Sequence, residues 1–437
     1  DAGTEIDPAP ASGEAYFGQD AEYVQNAASY TDNSDGTVTD NNTGLIWQQT
    51  PPDAFYSRTE AQTYADALVL AGESDWRLPT IKELLSLADF NGSSRPEIDL
   101  PYIDTTYFTV YDPLATTTFV PASASSTKRD IDGQYWSSND YVGRTINDDS
   151  ATFGFNFVDG RIKGYPNGLL SGPTGTAYVR CVRGSSTYGQ NNFIDNGDGT
   201  ITDLATGLMW LQNDSGAYPS DGSQGDGTLD WPEALAWAEG LAHAGYNDWR
   251  LPDAKQLHTI VDYTRAPDAA IVANQTAAID PVFQITETES WFWTSTSLGD
   301  DLFKWGIYIA FGRALAIDQT TFLPTTNAHG AGAMRSDPKT GDPATYATGH
   351  GPQFDQIRIF NYARPVRQAF TPTLPRDPAG LTVTISGDSA APADLNELPT
   401  SLTFNGIAVD PGSVSRPAQQ ELSFDHVIYG LAPGDYA

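Results

Sequence analysis

Apolar side chains recur at helical spacing in two separate stretches of the chain. The members of the two sets are Ala61, Tyr64, Ala65 and Leu68, and Ala234, Trp237, Ala238 and Leu241. Both sets follow the i, i+3, i+4, i+7 pattern of one buried helical face. An N-cap residue with Glu three positions later precedes each set, Ser57 with Glu60 and Asp230 with Glu233. Two equivalent helices are predicted, with Gly72 and Gly245 as their C-terminal stops.

A shared pentapeptide, Asp-Trp-Arg-Leu-Pro, follows each of these helices at 75–79 and 248–252. Directly after it, Thr80 and Asp253 again place a capping oxygen three residues ahead of Glu83 and Gln256. A second helix is therefore predicted in each copy. The residues expected on its buried side are Leu84, Leu85 and Leu87, or Leu257, Ile260 and Val261.

The large side chains of the pentapeptide are interpreted as structural. Trp76 and Trp249 are expected in the core. Arg77 and Arg250 stand between apolar neighbours, and a partly desolvated guanidinium needs a carboxylate or carbonyl partners. We favour a structural clamp for both arginines over direct contact with a ligand.

Strand patterns surround the helices in the same order in both copies. The segments 30–40 and 193–203 each contain an Asn-x-Asp-Gly turn followed by alternating residues, which predicts a hairpin. After loop-rich stretches at 91–133 and 264–289, further strands open at Trp136 and Trp293. Each copy thus reads as a hairpin, two helices, loops and a small antiparallel sheet, an α+β fold. The second copy also carries an insertion at about 318–352, which we expect to be a surface excursion.

These patterns predict four regions. They are an extended acidic lead-in at 1–29, a first repeat at 30–184, a second repeat at 185–368 and an all-β module at 369–437. The last contains alternating strand signals at 381–386, 401–404 and 422–429. Its closing Gly430 to Tyr436 resembles the final strand of immunoglobulin-like or prealbumin-like modules of bacterial surface proteins. We expect such a module to be incomplete at residue 437.

Composition narrows the function classes. The 437 residues carry a formal net charge of −33, which disfavours nucleic acid and anionic membranes as partners. Cys181 is the single cysteine, so an intrachain disulfide and a Cys-based zinc site are excluded. The sequence contains no apolar run long enough to span a bilayer. Because the chain begins with Asp, we expect a mature exported protein whose targeting segment has been removed.

Acidic residues of the repeated hairpins are candidate calcium ligands, since carboxylates beside turn carbonyls suit that ion. They are Asp32, Asp35, Asp40, Asp195, Asp198 and Asp203. Their spacing differs from that of an EF-hand loop. The favoured alternative is that these side chains cap their own turns. Calcium is the one cofactor that the sequence leaves open.

Aromatic residues are abundant, with ten Trp and 21 Tyr, and exposed rings beside polar groups are typical of carbohydrate sites. Trp47 and Trp210 lie in matched motifs and are expected in the core. Trp291, Trp305 and Tyr308 lack full counterparts in the first copy, which makes them the candidate ligand-binding residues.

Taken together, the repeated Asp-Gly-Thr-x-Thr-Asp, Thr-Gly-Leu-x-Trp, Asp-Trp-Arg-Leu-Pro and Trp-Ser/Thr-Ser motifs resemble the Lcl C-terminal domain family, twice, over nearly all of 30–184 and 193–367. The resemblance implies a C-type-lectin-like fold in exported bacterial proteins, with sugar or glycosaminoglycan binding and adhesion. Two features depart from it. Pro365 stands where the first copy has Cys181, and the negative charge argues against holding sulfated polysaccharide on a basic surface.

The leading hypothesis is a non-catalytic cell-surface protein that binds a glycan or a cell-surface protein. Recognisable nucleophile, phosphate-loop and His-Glu metal motifs are absent from the sequence, so an enzyme is disfavoured. The alternative is a structural subunit or decoration of an extracellular filament or sheath, which would self-assemble and bind only protein partners.

Overall fold

The computed structural model describes residues 10–23, 27–94, 98, 100–111, 133–167, 175–219, 221–299 and 303–369, together with the backbone of five strands between 383 and 424. The described residues form two compact units. The first lies within 1–189, 197–200 and 210–367, and the second within 190–196, 201–209 and 368–437. The helices of both repeats belong to the first unit.

The first repeat combines short strands with two helices. In chain order its elements are β1 (Tyr30–Asp32), β2 (Thr37–Asp40), β3 (Ile46–Gln48), β4 (Tyr56–Ser57), α1 (Arg58–Ala67), α2 (Ile81–Ser86), β5 (Gln134–Asp140), β6 (Ala151–Asn156), β7 (Arg161–Pro166), β8 (Thr176–Ala177) and β9 (Val182–Arg183). The antiparallel sheet β1-β2-β3-β9 contains both the start and the end of the repeat, with β9 paired to β3.

The second repeat follows the same order and adds strands. Its elements are β10 (Phe193–Asp195), β11 (Thr200–Asp203), β12 (Leu208–Leu211), α3 (Trp231–Gly240), α4 (Ala254–Thr259), β13 (Trp291–Leu298), β14 (Trp305–Ala310), β15 (Arg313–Ala316), β16 (Thr326–Ala331), β17 (Met334–Pro338) and β18 (Val366–Gln368). The pairing of β10 with β11 repeats that of β1 with β2. The α+β class is confirmed: small antiparallel sheets dominate, with four α-helices among the described residues.

All four helices begin with the capping boxes that the sequence predicts. The N-cap side chains of Ser57, Thr80, Asp230 and Asp253 each accept a hydrogen bond from the backbone three residues on, and that residue's side chain bonds back to the cap. Each such cap is worth about 1 kcal/mol. On the predicted apolar face of the first helix, Ala61 and Ala65 are buried, while Tyr64 and Leu68 are half-buried and pack against the same core.

The predicted helix stops were wrong. Helix α1 ends at Ala67, and α3 ends at Gly240. Gly72 and Gly245 instead lie in tight turns, with φ of 81° and 82°. The residues before them, Ala71 and Ala244, also have positive φ, of 54° and 53°. Two successive residues with positive φ make the hairpin turn that glycine favours, so the glycine signal marked a turn beyond the helix rather than its cap.

The two repeats share one continuous sheet, in the order β13-β14-β17-β7-β6-β5. The junction is the pair Met334 and Ile162, which joins β17 of the second repeat to β7 of the first. The insertion at 318–352 is therefore not only a surface excursion. Its mostly exposed parts are 318–325 and 340–352, whereas β16 and β17 are largely buried and complete the sheet. Unsatisfied strand edges are costly, and β17 covers one edge from each repeat.

The helices after the pentapeptide meet in a reciprocal arrangement. Lys82 Nζ of α2 donates to the carbonyl of Thr259 at 2.6 Å, and Lys255 Nζ of α4 donates to the carbonyl of Ser86 at 3.0 Å. Each lysine lies five residues after its pentapeptide arginine. Each positive charge thus satisfies the C-terminal carbonyls of the opposite helix, where a cation is favoured.

Residues of the predicted lead-in are partly structured. The structure describes 10–23 and 27–29 of it, and Asp20–Glu22 form a short 3-10 turn. Gly18 and Gln19 are buried. The segment is thus not simply extended and solvated, because part of its backbone is covered by the fold.

The C-terminal region contains two small antiparallel sheets described by backbone alone. Strands β19 (Val383–Ser386), β20 (Ser401–Phe404) and β21 (Ile407–Val409) form one, and β22 (Val414–Ala418) and β23 (Glu421–Phe424) form the other. Predicted strands at 381–386, 401–404 and 422–429 overlap β19, β20 and β23. The closing Gly430 to Tyr436 lies outside the described residues.

Candidate functional site

Trp305, at the start of β14, belongs to a group of rings at the surface of the second repeat. Its indole is half-buried, and its centroid lies 4.9 Å from that of the His350 imidazole and 6.3 Å from that of the Tyr346 phenol. The His350 and Tyr346 rings are 5.9 Å apart. The latter two residues come from the loop after β17. We call Trp305, Tyr346 and His350 the Trp305 cluster.

A network of charged side chains lies next to this cluster. The backbones of His350 and Asp355 exchange two hydrogen bonds of 2.8 Å. The Asp355 carboxylate forms an ion pair with Arg335 and lies 2.7 Å from His329 Nε2. Asp355 therefore connects the ring-bearing loop to the strands β16 and β17 below it.

The first repeat also contributes to this network through β7. Arg161 Nη2 donates to Ser336 Oγ at 3.2 Å, and its Nη1 donates to the Asp159 carbonyl at 3.0 Å. Lys163 Nζ lies 3.4 Å from Asp159 Oδ2 and is buried. The site is thus composite, since its rings come from the second repeat and part of its positive charge from the first.

Burial and charge pairing fix the ionisation of these groups. Burial lowers the pKa of His329 to about 4 despite Asp355, so its imidazole is neutral at pH 7. Burial acts to raise the pKa of Asp355, but Arg335 and His329 hold it well below its usual range. Burial is the main cause that lowers the pKa of His350, and the positive charges of Arg161 and Arg335 lower it further. At neutral pH the network is a carboxylate among guanidinium groups and neutral imidazoles.

Strained aromatic residues lie on the loops of the same repeat. Phe303, Phe322 and Phe354 all have left-handed backbone angles, with φ of 57°, 56° and 58°. Such conformations cost bulky residues about 1–3 kcal/mol each and cluster at functional sites. Phe322 and Phe354 also expose 57% and 43% of their surface. The loops that carry them meet where Ile317 N donates to the Phe354 carbonyl at 2.8 Å.

The side chains of the Trp305 cluster and its charged neighbours are suited to ligand recognition. An exposed indole face stacks against apolar CH groups of a ligand, while imidazole, phenol and guanidinium groups at its edge exchange hydrogen bonds with hydroxyls. Cys181 cannot add a nucleophile, because burial raises the pKa of its thiol to about 12.

The prediction of ligand-binding rings was wrong for two of the three residues. Trp291 and Tyr308 are buried in the core of the second repeat, with exposures of 1% and 2%. Their rings stack at 4.6 Å and an angle of 3°, and the Arg358 guanidinium covers Trp291 at 3.8 Å. Both rings are enclosed by other side chains and offer no face to a ligand. Of the predicted set, Trp305 alone remains a candidate.

Five of the six predicted calcium ligands cap turns. Asp35 Oδ1 accepts from Thr37 N and Oγ1, and Asp198 Oδ1 accepts from Thr200 in the same way. Side chains of Asp32, Asp40 and Asp203 likewise accept hydrogen bonds from backbone two residues ahead, and Asp195 ends β10. No three His, Cys, Asp or Glu side chains within the described residues converge to hold a metal ion. The arrangement favours the turn-capping interpretation.

The pentapeptide tryptophans are buried, and each pentapeptide arginine bonds to a side chain of its own repeat. Trp76 and Trp249 are 3% and 1% exposed. Arg77 makes a bidentate bond with Glu83, at 2.6 and 2.7 Å. Arg250 has only the amide oxygen of Gln256 in the equivalent place, at 2.7 Å.

Sequence reasoning missed most of the network around Trp305. Tyr346, His350, Asp355, Arg335 and His329 lie in or near the insertion, which we interpreted as a loop. Two of the five His residues fall between 318 and 352, and this concentration was the sequence signal that could have indicated a site in the insertion. Their convergence with Arg161 depends on the pairing of β17 with β7, which no local pattern reveals.

Comparison with known proteins gives one finding. The sequence model of the Lcl C-terminal domain family matches residues 36–183 and 199–324. Neither a curated protein nor a solved structure matches this chain. None of the helices in the described part of the chain has the length and apolar character needed to cross a membrane. The two matched segments cover more than half of the chain, one within each repeat, and the protein therefore belongs to the Lcl C-terminal domain family.

Proposed function

We propose that this protein is an exported bacterial cell-surface protein that binds carbohydrate without catalysis, through the Trp305 cluster. The observation that carries the proposal is a half-exposed indole packed beside Tyr346 and His350, next to the charges of Asp355, Arg335 and Arg161. An aromatic platform with polar groups at its edge is how proteins hold sugar rings.

The overall charge indicates which saccharides fit. A chain with a formal net charge of −33 repels polyanions, so a neutral saccharide suits it better than a sulfated one. Membership of the Lcl C-terminal domain family is in keeping with a surface or secreted protein.

The same proposal includes the finer features of the fold. Each repeat is a C-type-lectin-like domain, and residues 369–437 belong to an immunoglobulin-like or prealbumin-like module. The binding test varies calcium only as a condition, because five of the six predicted Asp ligands accept hydrogen bonds within their own turns.

A glycan-array screen of the whole chain tests the proposal. The variant Trp305→Ala should lower affinity for the bound sugar about tenfold, a loss of roughly 1.4 kcal/mol of stacking. Tyr246→Ala is the matched control, since Tyr246 is a partly exposed ring of the same repeat outside the cluster. Each protein is screened with Ca²⁺ and with a chelator. Binding that Trp305→Ala and Tyr246→Ala change equally would contradict a site at Trp305.

Exposed apolar residues favour a second candidate, a subunit of an extracellular filament or sheath. Phe322 and Leu323 expose 57% and 56% of their surface on adjacent positions of one loop. Exposed apolar patches of this kind commonly mark protein interfaces. Self-association that rises with concentration and is lost in a Phe322→Ser/Leu323→Ser variant, together with an empty glycan array, would favour this candidate.

A further inference from the structure

The segment of residues 16–23 packs on the second repeat by means of its aromatic ends. At one end, the ring of Tyr16 lies 6.0 Å from that of Trp231. Lys339 Nζ, from beyond β17, lies 4.0 Å from the Trp231 ring and 5.9 Å from the Tyr16 ring. The ammonium group is therefore held between aromatic rings that it attracts.

The middle of the segment is closely fitted. Gly18 has φ of +94°, and a Cβ there would lie 2.9 Å from Glu239 Oε1. The same oxygen accepts a 2.8 Å hydrogen bond from the Tyr23 hydroxyl, so moving it would break that bond. Lys339 Nζ donates to Ser297 Oγ at 2.6 Å, and against the lowering effect of burial the negative charge of Asp20 raises the pKa of Lys339.

At the other end, Tyr23 faces the pentapeptide arginine. The Arg250 guanidinium lies 5.2 Å from the Tyr23 ring centroid. Arg250 is 4% exposed, and its Nη2 has no hydrogen-bond partner within the described part of the chain. A buried guanidinium with an unused donor is normally compensated by an anion or an electron-rich ring.

The equivalent surface of the first repeat is open. Ser138 and Asp140 of β5 are exposed, whereas the matching Ser295 and Ser297 of β13 are buried. Glu83 already neutralises Arg77 there. The second repeat thus differs at the positions that contact residues 16–23.

We propose that this surface of the second repeat is a peptide-binding site for an acidic segment with the pattern Tyr-x-Gly-x-Asp-x-x-Tyr. Residues 16–23 occupy the site in this chain, and the same sequence fills it when supplied by a separate molecule. Three features define the specificity. Trp231 and Arg250 each face a tyrosine ring, the Lys339 ammonium lies against the Tyr16 ring, and Glu239 admits only glycine between the two tyrosines.

The test uses a fluorescent peptide of residues 10–23 and the full chain. Gly18→Val should displace the chain's own segment and allow the peptide to bind, as seen by fluorescence anisotropy. Gly13→Val is the matched control, because Gly13 also has a positive φ, of +89°, but a Cβ there meets nothing within 4 Å. Wild type and Gly13→Val should not bind the peptide.

Specificity is checked in the opened chain. Lys339→Met in the Gly18→Val background, or Asn in place of Asp20 in the peptide, should each weaken binding about tenfold. Hydrogen exchange reports whether residues 16–23 are released, and Asp20→Lys serves as a second opening variant if Gly18→Val does not fold.

Three results would overturn the proposal. One is an opened, folded chain that binds no peptide. Another is wild type that binds as well as Gly18→Val, which would place the peptide elsewhere. The third is continued protection of 16–23 in both opening variants, which would mean that the fitted contacts do not hold the segment.

Discussion

The two repeats build the same backbone framework but treat its central arginine differently. In the first, the bidentate bond to Glu83 raises the pKa of Arg77. In the second, Gln256 replaces that carboxylate, and burial lowers the pKa of Arg250. The lead-in places the ring of Tyr23 5.2 Å from the Arg250 guanidinium, in the repeat that lacks this carboxylate. Framework contacts are thus shared, while the paired carboxylate of the first repeat is replaced in the second by an amide, an aromatic ring and the nearby charge of Asp253.

The framework itself can be broken in either repeat. Arg180 and Arg364 are fully buried, and each guanidinium bonds three backbone carbonyls of its own repeat. Arg180→Ala and Arg364→Ala should each lower the free energy of unfolding by about 3–5 kcal/mol, since buried acceptors are left unpaired. Arg364→Ala should have the larger effect because it also leaves buried Asp214, 3.9 Å away, without its cation. Urea unfolding measures both, and equal losses below 1 kcal/mol would contradict the shared role.

The second-largest difference between the repeats is expected in their stability at acidic pH. His258 of α4 stands where α2 has Leu85, eight residues after the respective arginine, and burial lowers its pKa to about 3. In the unfolded chain His258 takes up a proton near pH 6.5, whereas in the folded chain it stays neutral down to about pH 3. The stability that depends on neutral His258 is therefore fully present above pH 6.5 and is lost as the pH falls toward 3. The resulting loss in the free energy of unfolding is about 3 kcal/mol by pH 4.

The variant His258→Leu introduces the residue found at this position in the first repeat. It should reduce the loss of unfolding free energy between pH 7 and pH 4. Tyr263 keeps its hydrogen bond to the Gly332 carbonyl in this variant. Unfolding free energies at pH 7 and pH 4 provide the check. An unchanged acid loss would assign the effect to other groups, of which His329, with a pKa of about 4, comes first.

Exchanging the partners of the central arginines sharpens the comparison directly. Glu83→Gln should destabilise the chain by about 2 kcal/mol, because it removes a charge-assisted bidentate pair. Gln256→Glu should stabilise it by about 1 kcal/mol and raise the pKa of Arg250. Glu73→Gln is the control, since Glu73 pairs with Arg183 at the half-exposed surface and should change stability little. Equal effects at 83 and 256 would show that the two arginines do not differ in compensation.

The smallest effect is expected where the repeats are most alike. Lys82→Met and Lys255→Met each remove an ammonium from the C-terminal carbonyls of the opposite helix. Each should cost about 1 kcal/mol in urea unfolding, with Lys82 somewhat the more sensitive because it also donates to the Gly189 carbonyl. A loss at only one of the two positions would contradict the reciprocal arrangement.

Several parts of the fold were readable from local sequence because short-range physics decides them. The capping boxes at Ser57, Thr80, Asp230 and Asp253 involve residues three apart, and all four helices begin there. The repeated hairpins and the burial of Trp76 and Trp249 follow from equally local patterns. A glycine signal was less specific, since positive φ serves both helix caps and hairpin turns, and Gly72 and Gly245 use the turn.

By itself, the sequence determined the duplication, the α+β class, the helix starts and the family. Only the tertiary structure decided which rings face solvent, because Trp291, Tyr308 and Trp305 lie in similar apolar surroundings along the chain. Burial depends on the partners that packing supplies, and Arg358 covers Trp291 from far along the sequence. The same holds for the network of Arg161, Arg335 and Asp355, which exists because β17 pairs with β7. Pairing of distant strands is set by the whole fold, so a site built across it cannot be read from either repeat alone.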